Sequence, residues 1–403
     1  MAIQTLIDDE PQLAMPVRAQ HARVSVHLSH NLDEVADAWV ALAAADIASP
    51  GQDIGFVRTW IGALEIQEAD QFFLVAELDG CPLALLPVYR RRVKGVRVLS
   101  FFPGDHVGCN APLVDSARLA RMGSVERAAL WSALLGPLEG VDMLYLRAIP
   151  ETIVDGVDIF AELGQSLAAE TLYRSVFANW DEANTTQRSK SRRKHDRQQG
   201  ERLEALGEVS FEEIKAGPES ADLLEVLFRQ RAARFRDMGI ADPFACSVRK
   251  FYNATIAAES GVDVRLHVLR LNGEIVAMRY NVAHGDRMFC LISSMSDCLE
   301  IQTGSPGKQC LLRVMQTVFD AGFGVFDMGA GFTDEKRHWC NVQTPLRHHY
   351  VPLTALGTAA ATGHRGTQWL RAKIKANKTL LALAKRLRAR LHKNQPAEAG
   401  EAH

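Results

Sequence analysis

The chain has 403 residues, of which 47% are hydrophobic and 23% charged, and its formal net charge is −2. These values are those of ordinary globular proteins and exclude wholesale disorder, and the length is sufficient for two domains with sizeable cores. The near-zero net charge excludes a chain that binds polyanions as a whole, so any affinity for nucleic acid or membranes must come from local patches. The seven cysteines include no Cys-x-x-Cys pair, which predicts a reducing compartment and neither a disulfide framework nor a zinc knuckle.

The N-terminal segment does not resemble a secretory signal, because Asp8, Asp9 and Glu10 stand where basic and then apolar residues are needed. No apolar run is long enough to cross a bilayer. The sequence therefore predicts a cytoplasmic protein, with residues 1–22 as a flexible tail.

The first structured region is predicted to begin with a helix and to continue as strands. Apolar residues recur at helical spacing over 32–48, and Asn31 is a plausible N-cap. Strands are predicted at 72–78 and 82–89 around an Asp79-Gly80 turn, followed by a third strand at 96–102. A polar, glycine-rich loop, 103–110, comes next.

A similar pattern returns in the C-terminal half, with strands predicted at 264–271, 274–282 and 287–294 and an Asn272-Gly273 turn. The repetition indicates either a degenerate duplication of one α/β unit or chance, because such turns are common. Taking it as duplication, we predict an N-terminal domain at 23–180 and a C-terminal domain at 207–355, joined by a helix at 181–206.

The joining helix is strongly basic, since seven lysines and arginines face only three acids between 187 and 206. It is either a solvated linker or a basic strip that holds an anionic substrate near the cleft between the halves.

The segment most suggestive of chemistry begins with Gly304, Ser305, Pro306, Gly307 and Lys308. Ser305 is a good N-cap and Pro306 suits the first helical position, so this segment opens a helix that ends at about residue 322. The free amides of a helix start attract anions, and a glycine lets a phosphate approach closely. Taken alone, these residues favour a helix that is simply well capped.

The helix start is followed by a buried strand with Phe326-Asp327-Met328-Gly329 and then by Lys336-Arg337-His338-Trp339-Cys340. This order of motifs resembles the GNAT-like proteins related to CelD of bacterial cellulose synthesis, distant relatives of the FemABX aminoacyl transferases. The resemblance is clearest over about 190–350. It implies an α/β fold of two tandem GNAT-like domains, each a mixed sheet flanked by helices. It also implies acetyl-CoA as the donor, a sugar or polysaccharide precursor as the acceptor, and no metal.

Two departures from the family pattern keep other functions open. The usual phosphate loop is loosened between Gln302 and Gly307, and Glu335 stands where a tyrosine usually precedes the lysine. One alternative is a FemABX-type transferase that uses aminoacyl-tRNA. The other is a non-catalytic regulator that binds an anionic nucleotide.

Roles follow for individual residues. Asp327 is either a general base or the cap of the loop after its strand, and Lys336 either holds an anionic substrate or pairs with Asp327. The residues from Gly304 to Lys308 are the predicted donor-binding set. By resemblance, the acceptor side is lined by Arg279, Tyr280, Trp339, Asp105 and His106. No metal site is expected, because His106 and Cys109 have no partner at a diagnostic spacing and adjacent strand residues His348 and His349 point to opposite faces.

The C-terminal segment from about 365 to 393 predicts one amphipathic helix with a basic surround, and no acid lies between Glu335 and Glu398. Such a helix either binds an anionic membrane surface or packs on its own domain through its apolar stripe. Residues 394–403 are predicted to be a flexible tail.

Overall fold

The computed structural model describes residues 24–44, 47–152, 157–239, 242–244 and 246–376. Within these residues, thirteen strands form one mixed sheet with helices packed against it. The strands are β1 (Val24–Ser29), β2 (Gln71–Leu78), β3 (Cys81–Val93), β4 (Val96–Phe101), β5 (Leu113–Val114), β6 (Met143–Pro150), β7 (Gln165–Val176), β8 (Val209–Lys215), β9 (Asp263–Leu271), β10 (Glu274–His284), β11 (Arg287–Met295), β12 (Val325–Ala330) and β13 (Val342–Pro352). This architecture confirms the predicted α/β class.

Helices connect these strands along the chain. They are α1 (Ala36–Ala43), α2 (Ile54–Ala63), α3 (Ser116–Arg121), α4 (Ser124–Leu135), α5 (Trp180–Gln187), α6 (Lys190–Glu204), α7 (Ala221–Asp237), α8 (Cys246–Thr255), α9 (Leu299–Gln302), α10 (Pro306–Asp320), α11 (Asp334–Trp339) and α12 (Ala355–Ala376). Each strand predicted from the two hairpin patterns is present. The helix predicted at 32–48 is shorter and begins as a 3-10 turn, Leu32–Val35, which Asn31 caps by accepting a hydrogen bond from the amide of Asp33.

The two halves of the chain share this sheet because their last strands are exchanged. β7, from the N-terminal half, lies beside β12, and β13, from the C-terminal half, lies between β6 and β7. Because one sheet runs through both halves, the structure does not divide the chain at the predicted boundaries, and these stay a prediction.

The sheet opens at one place in each half. β11 and β12 are parallel but pair only over Arg287–Phe289 with Val325–Asp327, after which they diverge. A bulge between Tyr280 and Asn281 in the neighbouring ladder leaves Leu291 of β11 without a partner on β10. A bulge bends and twists its strand, which accounts for the divergence of β11. β4 and β6 form the corresponding pair in the N-terminal half and meet only at Val98–Met143 and Leu99–Leu144.

A hydrophobic core joins the halves on one side of the sheet. It combines α1 and α2 with α7 and α8, and the rings of Phe56 and Phe251 meet edge to face at 4.9 Å. Burying a phenylalanine side chain contributes roughly 1.5–3 kcal/mol. The halves are therefore held together by apolar packing as well as by strand pairing.

The basic segment predicted as one linker helix is two helices, α5 and α6, with a break at Arg188 and Ser189. Its basic character is partly neutralised, because the buried carboxylate of Asp196 pairs with Arg188 at 2.8 Å and with Arg192 at 3.0 Å. α6 also packs on α10. The segment therefore packs on the rest of the fold through its buried face, while four of its seven basic residues remain exposed, and its role stays a prediction.

The C-terminal helix begins earlier than predicted, at Ala355. Residues 377–403 and 1–23 lie outside the described residues, so the membrane-binding hypothesis for 365–393 and the two flexible tails remain predictions. Among the described helices, none has the length and apolarity needed to cross a bilayer.

The close approach of Gly108 to β12 can be tested by adding a side chain at Gly108. A Cβ atom there would lie 2.8 Å from the Cα of Gly329 and 3.3 Å from Oδ1 of Asp327. Gly108→Ala is therefore expected to lower the free energy of unfolding by about 1–3 kcal/mol. Gly62→Ala, in α2 with nothing within 4 Å, is the matched control and should be stabilising by about 0.5–1 kcal/mol. Urea denaturation measures the free energy of unfolding of both variants. Equal changes in the two variants would contradict the close approach of Gly108 to Gly329.

Candidate functional site

A cleft of about 1760 Å³ opens where β11 and β12 diverge. Its walls come from both halves: the 104–108 loop and β7 from the first, and β11, β12 and α7 from the second, with α12 at the rim. Ligand pockets usually enclose about 300–1,000 Å³. The cleft is therefore large enough to hold two substrates at once.

Arg279 lines this cleft from β10, the strand that pairs with the divergent strand β11. Its guanidinium is 3.5 Å from the carboxylate of Glu335 and 3.5 Å from the carbonyl of Gly307, at the start of α10. The sequence predicted Arg279 for the acceptor side. Glu335, which also lines the cleft, was noticed only as a departure from the family pattern.

Lys336 lies on α11 with its ammonium at the edge of the cleft. The ammonium donates to the carbonyls of Gly329 at 3.1 Å and Ala330 at 2.6 Å, the last residues of β12. Burial lowers the pKa of Lys336 from its ordinary value. An ammonium has three N–H groups, so one remains for a substrate oxygen. Lys336 does not form the predicted ion pair with Asp327.

Asp105 and His106 lie on the opposite wall, in a 3-10 turn, Gly104–His106. Asp105 pairs with Arg147, and the ring of His106 lies among Trp60, Phe244 and Tyr252. Burial in these aromatic surroundings lowers the pKa of His106, and the nearby Asp105 carboxylate opposes that shift only in part. His106 is therefore neutral at pH 7 and able to accept a proton.

Arg231, on α7, is a cleft residue that sequence reasoning missed. Its guanidinium donates to the carbonyl of Ser293 on β11 at 3.3 Å and stacks over Phe235. It forms no ion pair with a carboxylate among the described residues, and its buried Nε has no hydrogen-bond partner there. Burial lowers its pKa. An arginine held in this way is suited to bind an anion, but α7 carries four arginines, and the sequence does not show which of them faces a cleft.

Asp327 does not line the cleft and lies behind its floor. It is 3% exposed, and its Oδ2 accepts from Nε of Arg174 at 2.8 Å while Oδ1 accepts from the amide of Gly329 at 2.7 Å. Arg174 also donates to the carbonyl of Ala48. These contacts match the loop-capping interpretation of Asp327 and leave it no access to a substrate.

Two residues predicted for the acceptor side are also buried away from the cleft. Tyr280 alternates with Arg279 along β10 and so faces the opposite core, where its hydroxyl meets Thr255 at 2.6 Å. Trp339 stacks on Trp180 at 6.0 Å and lies under Arg188. The cleft wall contains Tyr252 of α8 and not Tyr280.

Of the predicted donor-binding residues at the start of α10, one lies in the cleft and others pack against α6. Gly307 lines the cleft beside Met295, whereas Gly304 is pressed against the backbone of Leu203 in α6. Ser305 is not a side-chain cap: its φ is 51°, and its hydroxyl accepts from Gln199 of α6 at 2.8 Å. Pro306 occupies the first helical position as predicted, and neither it nor Lys308 lines the cleft.

Neither the Cys109 thiol nor the adjacent histidines show the features of a nucleophile or metal site in the described residues. Burial raises the pKa of Cys109 to about 12, so its thiol stays protonated. No group of three His, Cys, Asp or Glu side chains in the described part of the chain has the arrangement of a metal site. His348 lines the cleft while His349 turns away to bind the carbonyl of Leu163, as their adjacency on a strand requires.

Comparison with known proteins identifies the fold. Residues 190–337 match the family model of an acetyltransferase (GNAT) domain. This segment therefore has the fold of a GNAT domain. The matched segment runs from α6 to α11 and so contains the divergent strands and the start of α10.

Solved structures extend the likeness to most of the chain. FemX is similar with a TM-score of 0.52 and 11% identity, over 80% of this chain and 96% of FemX. The C-terminal domain (DUF2156) of a candidate lysylphosphatidylglycerol synthetase from Agrobacterium fabrum is similar with a TM-score of 0.50 and 14% identity, over 82% of this chain and 95% of that one. At these identities the likeness shows the fold alone. No curated protein matches the chain in sequence.

The buried pair of Asp327 and Arg174 is expected to act on stability. Asp327→Asn keeps the side-chain volume but leaves the Arg174 charge buried without its partner, which costs about 3–5 kcal/mol. Asp33→Asn is the control, because Asp33 is 72% exposed in its pair with Arg58 and such pairs contribute about 0–1 kcal/mol. Denaturant unfolding compares the two. A loss of activity in Asp327→Asn without a loss of stability would restore the catalytic interpretation.

The pKa of His106 is testable by NMR titration of its ring. The midpoint is expected below the ordinary value of about 6.5, because burial disfavours the imidazolium. Asp105→Asn should move it lower still, since the carboxylate favours the charged form. A midpoint above 6.5 in the parent protein, or an upward shift in the variant, would contradict the site geometry.

Proposed function

We propose that this protein transfers an acetyl group from acetyl-CoA to an amine or hydroxyl of a sugar or polysaccharide precursor. The observation that carries the proposal is the opening between β11 and β12 at the base of a two-sided cleft. Beyond Phe289 and Asp327 these strands have no ladder to each other, so a narrow acyl arm can pass between them. The acceptor class rests on the resemblance to CelD-like proteins.

In this account the donor enters along β11 toward Arg279. Gly307, at the start of α10, lies at that end of the cleft, where the positive end of the helix dipole favours the donor's phosphates. The thioester carbonyl then lies near the third N–H of Lys336. An ammonium aimed at the developing oxyanion stabilises the transition state, and loss of one such donor typically lowers turnover about 10²–10³-fold.

His106 takes the proton of the acceptor. The acceptor nitrogen or oxygen attacks the thioester carbon, the new C–N or C–O bond forms, and the C–S bond breaks. The proton moves from the nucleophile to the neutral ring of His106, which then passes it to the departing thiolate. The lowered pKa keeps the ring available as a base near neutral pH.

The acceptor binds on the α7 side, where Arg231 offers a guanidinium without a carboxylate partner among the described residues. Arg234 lies one turn further along the same wall of the cleft. Both favour an acceptor with a negatively charged group, such as a phosphorylated or carboxylated sugar.

One observation favours a second candidate. α6 covers Gly304 and Ser305, which leaves only part of the helix start free for a pyrophosphate. A FemABX-type transferase, whose donor is aminoacyl-tRNA, has no need of that site.

Calorimetric titration with acetyl-CoA separates the two candidates. The parent protein is expected to bind acetyl-CoA at micromolar concentrations. Gly307→Glu is expected to weaken binding at least tenfold, because it places a carboxylate beside the donor's phosphates at a crowded position, where a Cβ atom would lie 3.1 Å from the sulfur of Met295. Gly363→Glu adds the same charge on α12, where nothing lies within 4 Å, and should bind normally.

Absence of binding by the folded parent protein at millimolar acetyl-CoA would rule out the coenzyme as donor. Binding of an aminoacyl-tRNA in the same assay would then favour the second candidate.

A further inference from the structure

One histidine of the cleft, His348, has no part in the proposed reaction. It lies on β13 and lines the cleft. The backbone amide of Ala148, on the neighbouring strand β6, donates to Nδ1 of His348 at 3.1 Å. Because an amide N–H only donates, Nδ1 carries no proton, and the proton of the neutral ring lies on Nε2. The backbone therefore fixes the tautomer of His348.

The backbone of Ala148 adopts an uncommon conformation that makes this hydrogen bond. Its φ is 58°, in the left-handed region, where alanine is rarely found. Two bonds hold it there, since its amide donates to His348 and its carbonyl accepts from the amide of Asn110 at 3.0 Å. Strained backbone persists where the surrounding structure holds it, and it collects at functional sites. The strain at Ala148 indicates that the orientation of the His348 ring has a function.

The other ring nitrogen of His348 is a donor without a partner. The side chain is partly exposed, and its Nε2, which makes no hydrogen bond among the described residues, is not one of the side-chain atoms sealed from solvent. Burial and the nearby guanidinium of Arg147 lower the pKa of His348 to about 4, so the ring is neutral at pH 7. Since Nε2 already carries the proton, His348 donates a hydrogen bond and cannot act as a base in the way proposed for His106.

Two arginines lie at the same end of the cleft as His348. Arg147 on β6 and Arg371 on α12 both line the cleft. Burial lowers the pKa of His364, and so do the charges of Arg371 and Arg147, which places both guanidinium groups near His364. The ring of Tyr145 lies 5.6 Å from that of His348 and 4.9 Å from that of His364. The fixed donor and the two arginines therefore share one region.

The two arginines differ in how their charge is balanced. Arg147 pairs with Asp105, which precedes His106 in the chain. Arg371 is exposed and forms no ion pair with a carboxylate among the described residues. This end of the cleft thus offers N–H donors together with a positive charge that has no partner there, and it adjoins the proposed base.

The chemistry of these groups limits what they can bind. An imidazole N–H and a guanidinium only donate hydrogen bonds, so their ligand must carry atoms that accept them. Carboxylate and phosphate oxygens fit best, because hydrogen bonds to an ionised acceptor are roughly twice as strong as those between neutral groups. Such a group also supplies the missing partner of Arg371.

We propose that this end of the cleft binds a carboxylate or phosphate group of the acceptor, with His348 as a fixed hydrogen-bond donor and Arg371 as the counter-charge. The position is separate from Arg231, which lies on α7 and contacts β11, so the two contacts hold different groups of the acceptor. That the anion belongs to the acceptor rests on the proposed function, whereas binding of the anion itself does not.

NMR of the full chain, labelled with nitrogen-15 in its histidine rings, tests the site without any acyl donor. The His348 signals are assigned by their absence from His348→Phe. The Nε2–H tautomer is expected at pH 7, and an Nδ1–H tautomer or a charged ring would overturn the proposal.

The same signals report binding. The probes are glucose 6-phosphate and methyl glucuronide, with methyl glucoside as the uncharged control. At least one anionic probe is expected to shift the Nε2 signal at concentrations where methyl glucoside does not, and a response to only one of them identifies the group that the site prefers. No response to either anionic probe at tens of millimolar, or an equal response to methyl glucoside, overturns the proposal.

Variants distinguish this site from a general attraction of anions to α12. Arg371→Gln is expected to weaken binding of the anionic probe about tenfold, the effect of one hydrogen bond to a charged group. Lys373→Gln removes the same charge from the same helix at an exposed residue that does not line the cleft, and it should bind as the parent does. His348→Phe keeps a ring but removes the donor, and should weaken binding roughly ten- to hundredfold.

Each outcome decides for or against the site. Equal weakening in Arg371→Gln and Lys373→Gln would mean that the probe is attracted to the helix as a whole and overturns the inference. Unchanged binding in Arg371→Gln overturns it as well, and does so even if His348→Phe fails the check of its fold by circular dichroism. Binding of an anionic probe supports the site even where acetyl-CoA fails to bind. Binding of acetyl-CoA without either probe overturns this inference and leaves the acyltransferase proposal standing.

Discussion

The buried ion pair between Asp327 and Arg174 is the interaction on which the site depends most. It joins β12 of one half to β7 of the other at 2.8 Å, and Arg174 reaches further to the carbonyl of Ala48. The second oxygen of Asp327 holds the amide of Gly329. That contact fixes the end of β12, whose carbonyls in turn hold the ammonium of Lys336. A residue that never touches the cleft thus positions one that does.

Strand exchange imposes a second constraint. Because β13 pairs with both β6 and β7, the halves cannot separate without unpairing the centre of the sheet. Substrate entry must therefore rely on the rim of the cleft, on the side chains of α7 and α12, rather than on a hinge between domains. The close approach of Gly108 to Gly329 has the same effect, since it fixes the 104–108 loop relative to β12 and keeps His106 facing the cleft.

Local patterns in the sequence were sufficient for several of the hairpin strands. Alternating apolar residues and Asp-Gly or Asn-Gly turns predicted β2, β3, β9 and β10 to within a few residues, because these features are set by neighbours in the chain. The exchange of β7 and β13 depends on pairing between distant segments, which no local pattern encodes. The same limit explains Ser305, whose expected capping role was displaced by a contact with Gln199 of α6.

For the site, the structure places Arg279, Gly307 and Lys336 in one cleft and Asp327, Tyr280 and Trp339 outside its walls, and the roles predicted for all six stay predictions. These last three are buried by tertiary contacts, and a motif records that residues occur together without recording which way they face. Arg231 and Glu335 were missed or undervalued for a related reason. Glu335 matters because it pairs with Arg279, and Arg231 because it has no carboxylate partner among the described residues. Both facts depend on the fold and cannot be read from the sequence.

The central claim is that the opening between β11 and β12 receives the acyl donor. Hydrogen–deuterium exchange, measured by mass spectrometry with and without saturating acetyl-CoA, tests it most directly, because the backbone amides beyond Phe289 have no partner on β12. The account predicts slower exchange in peptides that cover 290–295, 305–309 and 328–330, and little change in β1 or β8. Unchanged exchange in the first three segments at saturation, or protection confined to another part of the chain, would contradict it.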